Sequence, residues 1–133
     1  MIKSIYIGKL SSRTNVNIET IRYYEKIGIL PRPMRTQGGN RQYSDDDVKR
    51  VIFIKRCRNL DYSIEEIRAL LKLADDDNLS CNEIYDFTIE HLKSIELKIA
   101  TLTKMQTTLK SMAKECSRGE TPSCAIIDMM TDG

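Results

Sequence analysis

Residues 18–43 read IETIRYYEKIGILPRPMRTQGGNRQY, and two kinds of local order meet inside them. Over 18–27 the apolar side chains Ile18, Ile21, Tyr24 and Ile27 recur at the spacing of one helical face. Gly28 follows as a helix stop. Beyond it the helical period is lost. Pro31 and Pro33 exclude a helix, and Gly38-Gly39-Asn40 supplies a turn suited to a hairpin that needs positive φ.

Upstream, residues 7–13 (IGKLSSR) carry a short helical pattern, and Asn15-Val16-Asn17 makes a turn before the next helix. Two short helices joined by a tight turn predict a helix-turn-helix. The hairpin directly after it presents Arg32, Arg35, Arg41 and Tyr43, a basic edge that reads as a wing lying along a phosphate backbone. Downstream, Ser44 is an N-cap with Asp45, Asp46 and Asp47 in the first turn, where the helix dipole favours negative charge. The helix it opens, over 45–58, turns Val48, Val51, Ile52 and Ile54 inward. Ser63 with Glu66 is a capping box for a fourth helix buried through Ile64, Ile67, Leu70 and Leu71. Asp75-Asp76-Asp77-Asn78 then ends the pattern as a solvated loop.

From 81 to 114 there is neither Gly nor Pro. Leu92, Ile95, Ile99, Leu102, Gln106, Leu109 and Ala113 alternate steps of three and four, a heptad seam with one polar interruption. At 1.5 Å per residue such a helix is ~50 Å long. A small head cannot cover that seam, so it implies a partner helix, and a second copy of the chain is the simplest one. The tail, Cys116-Ser117-Arg118-Gly119-Glu120-Thr121-Pro122-Ser123-Cys124, is a loop with a thiol at each end. Ala125-Ile126-Ile127 and Met129-Met130 form a short amphipathic turn placed to lid it.

The 133 residues suffice for one domain and an appendage. Net charge is +2, but residues 1–62 hold thirteen Lys/Arg against six Asp/Glu, whereas the remainder is net acidic. A basic front half and an acidic rear half fit a polyanion-binding head and a separate module. No apolar stretch is long enough to span a bilayer and the N-terminal residues lack a signal-peptide core, so a cytoplasmic protein without membrane contact is expected. A single histidine, His91, excludes multi-histidine metal sites, and no nucleophile–base pair or phosphate loop points to an enzyme. His91 itself reads as a surface or interface residue of the long helix.

Four cysteines remain: Cys57, Cys81, Cys116 and Cys124. In a reducing cytosol they point to metal binding, redox chemistry or burial rather than to structural disulfides. Cys57, in the third helix, reads as a packing residue. Cys116 continues the long seam to its end, Cys124 closes the loop back towards it, and Cys81 stands at the opposite end of the helix. Within one chain the three cannot meet. In an antiparallel dimer the start of one long helix lies beside the end of the other, so Cys81 of the partner subunit joins Cys116 and Cys124 twice per dimer. Three thiolates form a soft ligand set, suited to Zn(II), Cd(II), Pb(II), Hg(II) or Cu(I) and not to Mg or Ca. The third thiolate favours a divalent ion. Apolar filling and a Cys116–Cys124 redox switch are the other uses of these thiols; the switch would make Cys81 dispensable. A metal-storage protein using the head as a scaffold would make the basic wing accidental.

IETIRYYEKIGILPRP, with GGNRQYSDDDVKRVIFIKRCRNLDYSIEEIRALL, resembles the head of MerR-family regulators over residues 5–73. Cys81, the long helix and Cys116-x7-Cys124 resemble the heavy-metal branch of that family, so the likeness covers nearly the whole chain. It implies a mainly α fold. A winged helix-turn-helix head occupies residues 1–75, a linker and antiparallel dimerisation helix 76–115, and a metal-binding loop with a short helix 116–133. It also implies a mechanism: a homodimer sits on double-stranded promoter DNA whose spacer is too long, and the metal-bound form bends and untwists it until RNA polymerase engages, an indirect contact through DNA. By resemblance, Thr20, Arg22, Tyr23 and Tyr24 of the second helix and Arg35, Asn40, Arg41 and Tyr43 of the wing contact DNA. Tyr24 also shares the face of Ile21 and Ile27 and reads equally as core. Copper- and gold-sensing members carry serine where this chain has Cys81, and zinc-sensing members add a cysteine and a histidine in the loop that are absent here. CRNLDYSIEEIRALL and EHLKSIE look closest to cadmium- and lead-responsive members. Cd(II)/Pb(II) therefore ranks first, Hg(II) next and Zn(II) third, at one ion per site.

Overall fold

Helices α1 (Ile7–Thr14) and α2 (Ile18–Lys26) are eight and nine residues long, too short to persist in water without help from packing. The computed structural model, which describes residues 4–76, 78–116 and 124–132, supplies that help from several directions. Asn15 ends α1 in the left-handed conformation at φ 58°, its N–H donating to the Ser11 carbonyl. Asn17 Oδ1 accepts the Glu19 N–H at 2.8 Å and caps α2. Two cations from later in the chain occupy the C-terminal carbonyls. Lys55 Nζ donates to Thr14 O at 3.3 Å and Arg68 Nη2 donates to Ile27 O at 2.8 Å. Gly28 follows at φ +81°, the helix stop the sequence predicts.

The wing is a two-stranded antiparallel ribbon, β1 (Met34–Arg35) and β2 (Arg41–Gln42), with Met34 opposite Gln42 and Arg35 opposite Arg41. Its turn closes between Thr36 and Asn40, where the Thr36 N–H donates to Asn40 O at 2.8 Å. Positive φ falls on Gly39, not on Gly38 or Asn40. Beyond the expected hairpin, Ile5 pairs with Tyr43 through two backbone hydrogen bonds of 2.9 and 2.8 Å. The segment before α1 thereby ties to the base of the wing.

Helices α3 (Asp45–Asn59) and α4 (Ile64–Ala74) each start in a capping box. At α4 it is the expected Ser63–Glu66 pair, and at α3 Asp47 plays the reciprocal part to Ser44. Val48, Val51, Ile54 and Cys57 of α3 and Ile67, Leu70 and Leu71 of α4 are buried, with Ile52 and Ile64 half-buried at the margin. They meet Leu10, Val16, Ile21 and Tyr24 of the helix-turn-helix, and this is the head's core. Arg50 grips Asp75, the C-cap of α4, through one guanidinium nitrogen at 2.9 and 3.0 Å.

Helix α5 runs 35 residues, Cys81–Glu115, and Ser80 Oγ accepts the Glu83 N–H at its start. The chain divides into two units, Met1–Ile84 and Tyr85–Gly133. Along α5 the expected seam is open: Leu92, Ile99, Leu102 and Leu109 are all exposed, as are Leu97 and Met105. His91 and Met112, neither of them in that seam, are buried. A seven-residue helix, α6 (Ala125–Thr131), follows. The expected loop over 117–123 and Asp77 of the acidic run lie outside the described residues. No described helix is long and apolar enough to cross a membrane.

Candidate nucleic-acid groove and thiol pair

On α2, Arg22, Glu25 and Lys26 stand three and four positions apart and so share one face. That face and the wing enclose an open groove of about 460 Å³ lined by Arg22, Glu25, Lys26, Arg32, Pro33, Arg35 and Arg41. Five cations surround one carboxylate. Glu25 is nearly buried: it accepts the Tyr43 hydroxyl hydrogen bond and pairs with Arg41 Nε at 3.3 Å. Among the described residues, Arg41 is the one groove cation held in an ion pair. Such a surface attracts a polyanion and offers several guanidinium forks to phosphate oxygens.

The residues expected to touch DNA divide into two sets. Arg22, Arg35 and Asn40 are exposed, Tyr23 is half exposed, and Thr20 and Arg41 are half-buried. Tyr24 and Tyr43 are different. Tyr24 is buried on the Ile21 face, its ring 6.2 Å from that of Tyr23. Tyr43 is 1% exposed, and its hydroxyl is committed to Glu25. Burial first, and then the hydrogen bond to Glu25, raise the Tyr43 phenol far above its ordinary range. The core holds both rings, and the Tyr43 hydroxyl is turned to Glu25. Lys26 and Glu25 were missed by sequence reasoning. The i, i+4 spacing of Lys26 from Arg22 was the available signal.

The thiols also separate. Cys57 is buried in α3, as expected of a packing residue, and burial pushes its thiol up. Cys81 is the exposed first residue of α5. Cys116 directly follows the last residue of α5, its N–H still bonded to Met112 O at 3.2 Å, and Cys124 is the N-cap residue of α6. These last two are half-buried and free. The backbone N–H groups of Ile127 and Ile126 hold the Cys124 thiol below its ordinary range. At Cys116, desolvation and then the hydrogen bond to Cys124 push the thiol up. Both are soft thiol ligands, and they titrate in opposite directions from the ordinary range. Among the described residues of one chain, no third His, Cys, Asp or Glu completes the set.

Residues 6–74 match the family model described as MerR HTH family regulatory protein, and residues 48–112 match that described as MerR, DNA binding. A mercuric resistance operon regulatory protein of Bacillus cereus is 39% identical over 125 residues, covering 93% of this chain and 95% of the relative. Among solved structures, a lead(II)-bound transcription regulator from Ralstonia metallidurans CH34 superposes with a TM-score of 0.81 at 31% identity, over 96% of this chain and 99% of that one. A mercury(II)-bound regulator from Bacillus megaterium MB1 gives 0.72 at 32% identity, over 96% and 100%.

Proposed function

The chain belongs to the MerR family of helix-turn-helix regulators, which are not enzymes, and on that premise we propose that it is a dimeric sensor of a soft divalent metal ion acting on promoter DNA. The observation that carries the proposal is the Cys116–Cys124 pair: two free, half-buried thiols at the end of α5 and the start of α6, on a regulator whose head presents a basic groove. Their chemistry fits a thiophilic ion. Cys81 of the partner subunit is the third ligand in this reading, and the exposed seam of α5 is the surface that brings two copies together antiparallel. Bound there, the ion supplies a positive centre that holds thiolates from two chains together.

In the head, Arg22, Arg35, Asn40 and Arg41, with Thr20 and Tyr23, meet the DNA backbone and base edges, while Tyr24 and Tyr43 support them. RNA polymerase is reached through the altered DNA. Residues 1–75, 76–115 and 116–133 act as reader, spacer and sensor. Among metals, Cd(II)/Pb(II) is the first choice, with Hg(II) and then Zn(II) behind it. Relatives named for mercury and lead support the class without separating its members.

A competition titration on the reduced protein tests this reading, following thiolate-to-metal absorption for Cd(II), Pb(II), Hg(II), Zn(II) and Cu(I). One divalent ion per chain, lost in Cys81→Ser, is the expected result. Strongest binding to Cu(I), or binding indifferent to Cys81→Ser, would replace it with a two-thiolate or redox site.

A further inference from the structure

We propose that Glu25 is the positioning residue of the DNA groove: its carboxylate clasps the wing to α2 and aims Arg41, so that removing its negative charge weakens DNA binding instead of strengthening it. The inference rests on the DNA-binding reading above. It begins from a conflict of signs. A carboxylate in a groove of five cations opposes any polyanion placed there. Simple electrostatics therefore makes Glu25 a fault in the surface, to be improved by neutralisation.

The geometry gives it a different part. The wing strands contain two residues each, and a lone two-stranded ribbon is marginally stable in water. It holds its place through ties to the body. One is the backbone bridge between Ile5 and Tyr43. The other runs through Glu25, which receives the hydroxyl of Tyr43 and the Nε of Arg41 from adjoining positions of the wing. Both are charge-assisted contacts to an acid whose side chain is 8% exposed, so solvent screens them weakly. Nε is the inner nitrogen of the guanidinium. With it engaged, the two outer nitrogens remain to act as a fork, the part that can grip a phosphate. The side-chain entropy of Arg41 is thus already spent before DNA arrives, and preorganisation of this kind raises affinity by lowering the cost of ordering.

The test uses the full-length protein and a duplex that it enriches from a randomised library, with a scrambled duplex of equal length beside it. Glu25→Gln is expected to lower affinity for the selected duplex about tenfold while the scrambled one changes less than about twofold, since charge-driven binding does not need an aimed fork. Tyr43→Phe keeps the ring in the core and removes one tie, so it carries the test if Glu25→Gln does not fold. Its expected loss, in the same direction, is about threefold to tenfold, and the double variant binds no worse than Glu25→Gln alone. Unchanged or tighter binding by either variant, or equal losses on both duplexes, overturns the clasp. Failure of the parent protein to enrich any duplex sinks the DNA-binding reading instead, which is a separate outcome.

Discussion

Replacing Arg35 with Ala is expected to flatten the salt dependence of DNA binding by a predictable amount. The groove holds Arg22, Lys26, Arg32, Arg35 and Arg41, and Glu25 already neutralises Arg41. Net of Glu25, the groove carries four positive charges per head, eight in the proposed dimer, with the outer nitrogens of Arg41 still open to phosphate. At ~0.9 counterions released per neutralised phosphate, log K against log salt has a slope of about −7. Raising salt from about 50 to about 200 mM then costs roughly four decades of affinity. Arg35→Ala removes one cation from each head and brings the slope to about −5. Arg13 is the control. It carries the same charge but lies outside the groove, paired with Asp45 at 3.6 Å, so Arg13→Ala leaves the slope in place. Fluorescence anisotropy of a labelled duplex over a salt series reads all three slopes. A parent slope shallower than about −4, or equal flattening by the two substitutions, refutes the assignment of this groove to DNA.

Three further outcomes are expected. Ile54, fully buried where α3 meets the helix-turn-helix, leaves a cavity when cut to Ala, and urea unfolding should register a loss of about 2–5 kcal/mol; a loss under about 1 kcal/mol would contradict the core described above. Ser63→Ala removes the oxygen that accepts the Glu66 N–H at 3.1 Å and costs about 1 kcal/mol in the same assay, with Ser63→Gly recovering most of it. In the reduced, metal-free protein, Cys124 is held below the ordinary thiol range and Cys116 above it. As pH rises Cys124 therefore ionises first, and its alkylation rate climbs at lower pH than that of Cys116. Metal uptake displaces thiol protons, so affinity rises with pH until the thiols ionise. Peptide-resolved alkylation across pH checks the order, and the reverse order would remove the Cys124 backbone donors from the explanation.

Much of the head was legible because its signals are local. The Ser63–Glu66 box, the Ser44 cap, the stop at Gly28 and the unbroken run from 81 to 114 each involve residues a few positions apart, and each appears in the fold. The contacts that bind those elements together were not legible. Lys55 on Thr14 O and Arg68 on Ile27 O each span 41 residues, and Tyr43 on Glu25 spans 18. Periodicity carries no trace of such pairs. The turn of the Tyr43 hydroxyl onto Glu25 was hidden for the same reason, since an exposed basic hairpin carries no sign of a buried acid beneath it. The thiol pair was readable as a loop closure between Cys116 and Cys124. The direction of polarisation was not, since it depends on where the N–H groups of α6 point.

The two cations on the helix-turn-helix bear on how such a head answers a distant event. Helices α1 and α2 end on carbonyls occupied by side chains of α3 and α4, so the reading surface is set by elements that do not touch DNA in the proposed contact set. The first turn of α5, with Cys81 in it, falls in the same unit as these helices, whereas Cys116 and Cys124 fall in the other. On the proposed reading, an ion joining Cys81 of the partner subunit to Cys116 and Cys124 therefore ties the head unit of one chain to the sensor of its neighbour. The free energy of metal binding then acts on the arrangement of the two heads. A dimer that works by deforming DNA needs that property, because a compliant head would absorb the movement that the promoter has to feel.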